Sequence, residues 1–187
     1  NGSRRPIEGG YVLINSHTVK FSLGKYDHTS PLVIDPILSY STYYGGGGTD
    51  EACGVVVGTD GSVYVAGSSL GGLPTTPGAR TNRYNGNYDA FVAKFDSSGT
   101  NVIYLSYIGG VVGDTASALA VDASGNAYIT GWTESSNFPR TNAIFNQIKG
   151  TPYPPPFDSY YPAEAFVTKL GPLGTNLIYS TYLGGNY

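Results

Sequence analysis

A chain of 187 residues is long enough for one ordinary domain with a sizeable core. Charged residues make up 12%, about half of the roughly 25% usual for soluble domains, and the formal net charge is −3 with a pI near 5.2. That balance excludes the basic surface that nucleic acid demands, since the one basic cluster is Arg4-Arg5 beside the N-terminus, and no apolar run approaches the roughly 20 residues of a membrane helix.

Gly occurs 27 times and Tyr 17 times, the mark of many short strands joined by tight turns. There is no Met, which reads as a processed product or a piece of a longer chain, and no signal peptide remains. The single Cys53 cannot form an internal disulfide, and its place at the start of an expected strand suits a small core residue. Low charge, abundant Tyr, Ser, Thr and Gly, and almost no Cys suit an extracellular or surface protein of bacterial type.

Residues 1–36 form an extended lead. Asn1-Gly2-Ser3 matches the N-glycosylation acceptor pattern, which makes Asn1 a candidate, although three-residue matches often arise by chance. Residues 11–14 and 18–23 alternate like two strands around an Asn15-Ser16-His17 turn. Residues 24–30 are a polar loop. Pro31 and Pro36 confine the next piece to an extended entry segment.

From there the chain repeats itself. Tyr40-Ser41-Thr42-Tyr43-Tyr44-Gly45-Gly46 returns as Tyr104-Leu105-Ser106-Tyr107-Ile108-Gly109-Gly110 and as Tyr179-Ser180-Thr181-Tyr182-Leu183-Gly184-Gly185. Val57 to Gly67 returns as Val121 to Gly131, and Asp89-Ala90-Phe91-Val92-Ala93-Lys94-Phe95 as Glu164-Ala165-Phe166-Val167-Thr168-Lys169-Leu170. Three phrases recurring in one order are an internal repeat. The first repeat unit, 37–108 with its leading strand, predicts strands at 54–58, 62–68, 90–95 and 101–108. Asp60-Gly61 and Ser98-Gly99 signal hairpin turns. The second, 109–187, predicts strands at 116–122, 127–133, 165–170 and 176–183. Its long loop carries an insertion with Thr151-Pro152-Tyr153-Pro154-Pro155-Pro156-Phe157 and Tyr160-Tyr161-Pro162. Such a Pro run favours polyproline II and cannot join a sheet interior. It reads as a tolerated surface excursion or as a stiff aromatic recognition surface.

The fourth strand of the first repeat is apolar on both faces, with Val102, Tyr104 and Ile108 on one side and Ile103, Leu105 and Tyr107 on the other. A sheet wet on one face would alternate more cleanly. The expected fold is therefore all-β: two complete four-stranded antiparallel propeller-type blades plus N-terminal strands, not closed within one chain.

Candidate chemistry is sparse. His17 and His28 both lie in the lead, without a Cys or a Ser-containing elbow beside them, and no Gly-x-Ser-x-Gly, His-Glu-x-x-His or phosphate-loop motif occurs. The reading is non-enzymatic, with no catalytic residue and no cofactor. Asp50, Glu51 and Asp114 follow the Gly runs and are the candidates for calcium, but they lack the spacing of a calcium loop. Acids in turns more commonly cap backbone N–H groups. Trp132, Tyr153, Phe157, Tyr160 and Tyr161 could offer flat faces to a glycan; the other reading of Trp132 is packing between blades.

The repeat is similar to the SBBP family of bacterial beta-propeller repeats. The likeness rests on the Tyr-Ser-Thr-Tyr-x-Gly-Gly phrase, the hairpin 121–131, Phe138-Pro139 and the strand around Phe91 and Phe166. The lead-in Tyr26-Asp27-His28-Thr29-Ser30-Pro31-Leu32-Val33-Ile34-Asp35-Pro36 also resembles the segment before the first repeat of such proteins. The resemblance, over roughly 26–187, implies a secreted or surface-exposed bacterial protein of many tandem blades and no catalytic activity. Two blades leave stacking faces uncovered, which points to a chain that continues or to copies that complete one another. The expectation is a structural subunit of an extracellular assembly, joined head to tail into a ring or filament. The N-terminal strands would insert into a neighbour's sheet edge through Val12, Ile14, Val19, Phe21 and Leu23. The alternative is a fragment of a larger propeller that binds a glycan or protein. Copies of the chain are thus the expected partners, with glycans second and neither nucleic acid nor membrane insertion.

Overall fold

A computed structural model describes residues 5–15, 18–33, 41–77, 87–148 and 162–184. The chain divides into two units, Asn1–Ser39 and Tyr40–Tyr187. In the first, β1 (Gly9–Asn15) and β2 (Thr18–Leu23) pair antiparallel. Directly opposed residues share a face of a sheet. Tyr11 faces Phe21, with rings 4.8 Å apart, and Gly9 faces Leu23, whereas Val12 faces Lys20. A bulge at Ile14 breaks the alternation. Phe21 and Leu23 thus share a face with Tyr11, and Val12 lies on the other. The apolar face is built on Tyr11, Leu13, Phe21 and Leu23, all exposed.

The second unit is two antiparallel meanders. Blade one holds β3 (Asp50–Val57), β4 (Val63–Ser69), β5 (Asp89–Phe95) and β6 (Val102–Ile108) in that order. Blade two holds β7 (Asp114–Val121), β8 (Ala127–Thr133), β9 (Glu164–Leu170) and β10 (Leu177–Leu183). Each of the four hairpin turns places a Gly at positive φ: Gly61 at 79°, Gly99 at 70°, Gly125 at 78° and Gly174 at 71°. The Asp60-Gly61 turn has three residues between the hydrogen-bonded Gly58 and Ser62, not two. It is a tight turn followed by one left-handed residue, which glycine adopts without steric cost.

Two of the sequence expectations fail for one physical reason. Cys53 lies in the irregular step of β3 between Ala52 and Gly54, and its thiol is exposed rather than a core group. Ile103 occupies the matching irregularity of β6, so Val102 crosses to the Leu105 side instead of joining Tyr104. One extra residue flips every side chain beyond it to the other face.

The main core lies between the blades. Tyr64, Ala66, Ala90, Val92, Tyr104 and Ile108 of blade one pack against Ala116, Ile129, Phe166, Leu170, Tyr182 and the loop residue Phe138. Each large side chain fully buried there contributes about 1.5–3 kcal/mol of transfer free energy. A second cluster of Leu73, Phe91, Ala93, Phe95, Leu105 and Tyr107 lies on the opposite face of blade one. The apolar faces expected for the fourth strand are both in use.

Candidate functional site

The repeat makes the seam between the blades a template. Each blade has a leading face, carrying Val63 and Val65 in blade one or Ala127 and Ile129 in blade two. Its trailing face carries Tyr64 and Ala66, or Tyr128 and Thr130. The trailing face of blade one meets the leading face of blade two. Polar contacts tie this seam. The Tyr64 hydroxyl donates to the Gly125 carbonyl at 3.3 Å, the Ser106 hydroxyl to the Gly174 carbonyl at 2.8 Å, and the Ala116 N–H to Ser68 Oγ at 3.2 Å.

At the end of the seam the Gly pair is held by acids. Asp114 accepts the Gly110 N–H at 2.6 Å and the Ser135 hydroxyl at 2.9 Å. A Cβ on Gly109 would stand 2.0 Å from Asp89 and 2.9 Å from Asp114, so the turn needs glycine for space. Asp50 repeats the arrangement, accepting from Gly46 N–H and the Ser69 hydroxyl. Burial beside Asp89 pushes the Asp114 carboxyl up to about 6. Asp50 and Asp114 thus cap backbone N–H groups in two separate turns. Among the described residues no three His, Cys, Asp or Glu side chains converge as metal ligands.

Among the described residues, two faces of this unit stay partly open, although Phe91, Ala93 and Leu105 on the first of them are buried. On the leading face of blade one, Val55 and Val57 are about two-thirds exposed, at 67% and 65%. Their counterparts Leu119 and Val121 pack into the seam. Beside them lies a cavity of about 290 Å³, lined by Tyr44, Glu51, Ala52, Val65, Phe91 and Phe95 among others. Segment 41–46 borders it. Tyr44 rests edge-on against Phe95 at 5.2 Å and donates to the Pro74 carbonyl.

The trailing face of blade two carries Tyr128, Thr130, Trp132, Val167, Lys169 and Tyr179 side by side. Trp132, where blade one has Ser68, is 38% exposed on it, on the side away from the seam between the two described blades. Both trailing faces hold one constellation. Lys94 lies 3.2 Å from Asp60 and 4.9 Å over the Tyr64 ring; Lys169 lies 3.4 Å from Asp122 and 4.7 Å over Tyr128. The difference is the phenol. Tyr64 reaches the neighbouring blade, while Tyr128 turns back to its own Asp122 at 3.0 Å. The sequence contained this trio in both copies of the repeat, and aligning the acid, the aromatic and the Lys would have found it. Asn1, Tyr153, Phe157, Tyr160 and Tyr161 lie outside the described residues.

Residues 103–139 match the family model described as a beta-propeller repeat, SBBP. The chain carries a beta-propeller repeat. The matched stretch runs from β6 through β8 to Phe138-Pro139, so it spans the seam described above. Residues 1–37 match a domain of unknown function, DUF7948. No curated protein matches the chain. The unit 40–187 is a propeller-type module, with antiparallel four-stranded sheets that do not close into a barrel among the described residues.

Proposed function

We propose that this chain is a non-enzymatic structural subunit of an extracellular bacterial assembly, a filament or ring in which the blades of one copy complete those of the next. One observation carries the reading. The seam inside the chain consists of a trailing and a leading face, and the two faces left partly open among the described residues are one of each kind. Unlike faces that fit make a head-to-tail contact, which closes into a ring or runs on as a filament according to its rotation. The N-terminal hairpin adds a second element. Each of its strands has one edge unpaired among the described residues, and its exposed Tyr11, Leu13, Phe21 and Leu23 suit insertion beside a neighbour's sheet. A two-stranded hairpin is marginal alone and gains from such a partner. The extracellular placement rests on composition.

Sedimentation over a wide concentration range, with electron microscopy of the same material, tests this. Regular filaments or closed rings are expected. A particle of one chain's mass at every concentration refutes it. The second reading, a glycan- or protein-binding module, is favoured by Trp132 standing on an open face beside Tyr128. It is tested by glycan-dependent quenching of the single Trp.

A further inference from the structure

We infer that the trailing face of blade two docks the leading face of blade one of a second copy of this chain, with Trp132 seated in the cavity beside Glu51 and Ala52. This rests on the head-to-tail reading above and names the surfaces and their register.

The two open faces repeat the two halves of the inner seam position by position. In that seam β7 lies across β3, β4 and β5. A second copy in the same geometry lays its β3 across β7, β8 and β9 of the first. Val55 and Val57 of the second copy then take the places of Leu119 and Val121 and lose their exposure. Gly61, the counterpart of Gly125 with the same left-handed φ, brings its carbonyl to the Tyr128 hydroxyl. That hydroxyl now rests on Asp122, within its own blade, and needs only to turn outward.

Trp132 is the point where the new seam departs from the inner one. At the matching position Ser68 meets the Ala116 backbone with little room around it. The counterpart of Ala116 is Ala52, and Ala52 lines the 290 Å³ cavity together with Glu51 and Phe91. A larger side chain on one face thus matches a hollow on the other. Aromatic anchors in such hollows carry most of the binding energy at protein contacts.

Segment 41–46 occupies part of this place. It repeats the β10 phrase, Ser41-Thr42-Tyr43-Tyr44-Gly45 against Ser180-Thr181-Tyr182-Leu183-Gly184. Tyr44 packs on blade one as its counterpart Ile108 packs on blade two. Docking therefore exchanges the segment 41–46 of one copy for β10 of the other, an exchange of like for like. Tyr43 and Thr42 are already exposed, and the exchange costs mainly the contacts of Tyr44.

The register is tested by cross-linking. In the inner seam a Cβ on Gly54 would lie 3.4 Å from the Leu119 Cβ, near the roughly 3.5–4.5 Å spanned by a disulfide. The counterparts are Ala118 on the trailing face and Val55 on the leading face, both exposed. A Cys53→Ser chain with Ala118→Cys and Val55→Cys, oxidised at a concentration where sedimentation shows self-association, is expected to give a ladder of covalently linked chains. Either cysteine alone gives no species beyond a dimer. Trp132→Glu, an exposed substitution, is expected to weaken self-association at least tenfold with an unchanged circular dichroism spectrum. Self-association without a ladder, or a Trp132→Glu chain that associates as before, overturns this seam while the assembly reading stands. A chain that remains monomeric throughout overturns both.

Discussion

Asp114 makes the seam respond to pH in a direction opposite to most carboxylates. It is fully buried, and burial first, with the charge of Asp89 adding to it, raises its carboxyl from 3.8 to about 6. A carboxyl raised in the folded state binds a proton that the unfolded chain has released. Its contribution to stability is complete below about 3.8 and is lost as the pH rises through about 6. The gap between the two values corresponds to about 3 kcal/mol, at about 1.4 kcal/mol per tenfold change in proton concentration. Asp60, Asp96 and Asp122 lie below the ordinary carboxylate range because hydrogen bonds hold their charged forms. Their contributions are present above the ordinary value and fall away only below it, outside this window.

Asp114→Asn removes the titration and keeps an oxygen for the Gly110 N–H and the Ser135 hydroxyl. Urea unfolding at about pH 4.5, 5.5 and 7.5, followed by circular dichroism, compares the two chains. The native chain is expected to lose about 2 kcal/mol between the ends of that range. The Asn variant loses much less and is the more stable of the two at about pH 7.5. Equal slopes for both chains would refute the assignment of a raised, proton-binding carboxyl to Asp114.

Phe138→Ala empties a fully buried site against Phe166, 4.5 Å away, and is expected to cost about 3–5 kcal/mol in the same unfolding assay. Ser106→Ala leaves the Gly174 carbonyl without its donor across the seam and is expected to cost about 1–3 kcal/mol, a loss absent if water replaces the hydroxyl. Gly109→Ala forces a methyl against Asp89 and is expected to destabilise by about 1–3 kcal/mol, read as a fall in thermal midpoint. Native Cys53 is expected to react with a thiol reagent without denaturant, faster at alkaline pH because partial burial raises its thiol. Labelling only after unfolding would contradict its exposed place in β3.

The strands of both blades were legible because the repeat wrote each of them twice. Apolar alternation and the Gly-containing turns bracket them, and most ends agree within two residues. The start of β3 did not. It begins at Asp50, four residues before the expected 54. Asp50 and Glu51 look like loop residues, and the irregularity at Cys53 interrupts the alternation that identifies a strand. Asp50 belongs in the strand because it pairs with Ser69 of β4, and from there its carboxylate accepts the Gly46 N–H. The same reach explains Asp114, two residues ahead of its expected strand. A local pattern cannot announce a contact that closes only when the preceding turn folds back. The faces of the N-terminal hairpin were hidden for a related reason. Alternation within each strand was visible, but which residues share a face depends on the pairing of Tyr11 with Phe21, and that is a property of two strands together.

The two trailing faces show what a neighbour does to an otherwise repeated surface. Tyr64, Ala66, Val92 and Tyr104 are buried, while Tyr128, Thr130, Val167 and Tyr179 at the same positions are not. Apart from Thr130 for Ala66 the side chains are the same, so the difference lies in blade two covering the first set and nothing in the described unit covering the second. A face meant for water would replace the Val and the Tyr pair with charged groups, because apolar area left wet costs about 25 cal/mol per Å². Blade two keeps the aromatic and aliphatic residues and keeps the Lys–Asp–Tyr corner in working geometry. Its one large substitution, Trp132 for Ser68, adds apolar area. The trailing face of blade two thus keeps the Lys–Asp–Tyr corner of the inner seam and, with Trp132 in place of Ser68, exchanges one of that seam's hydrogen-bond acceptors for apolar area.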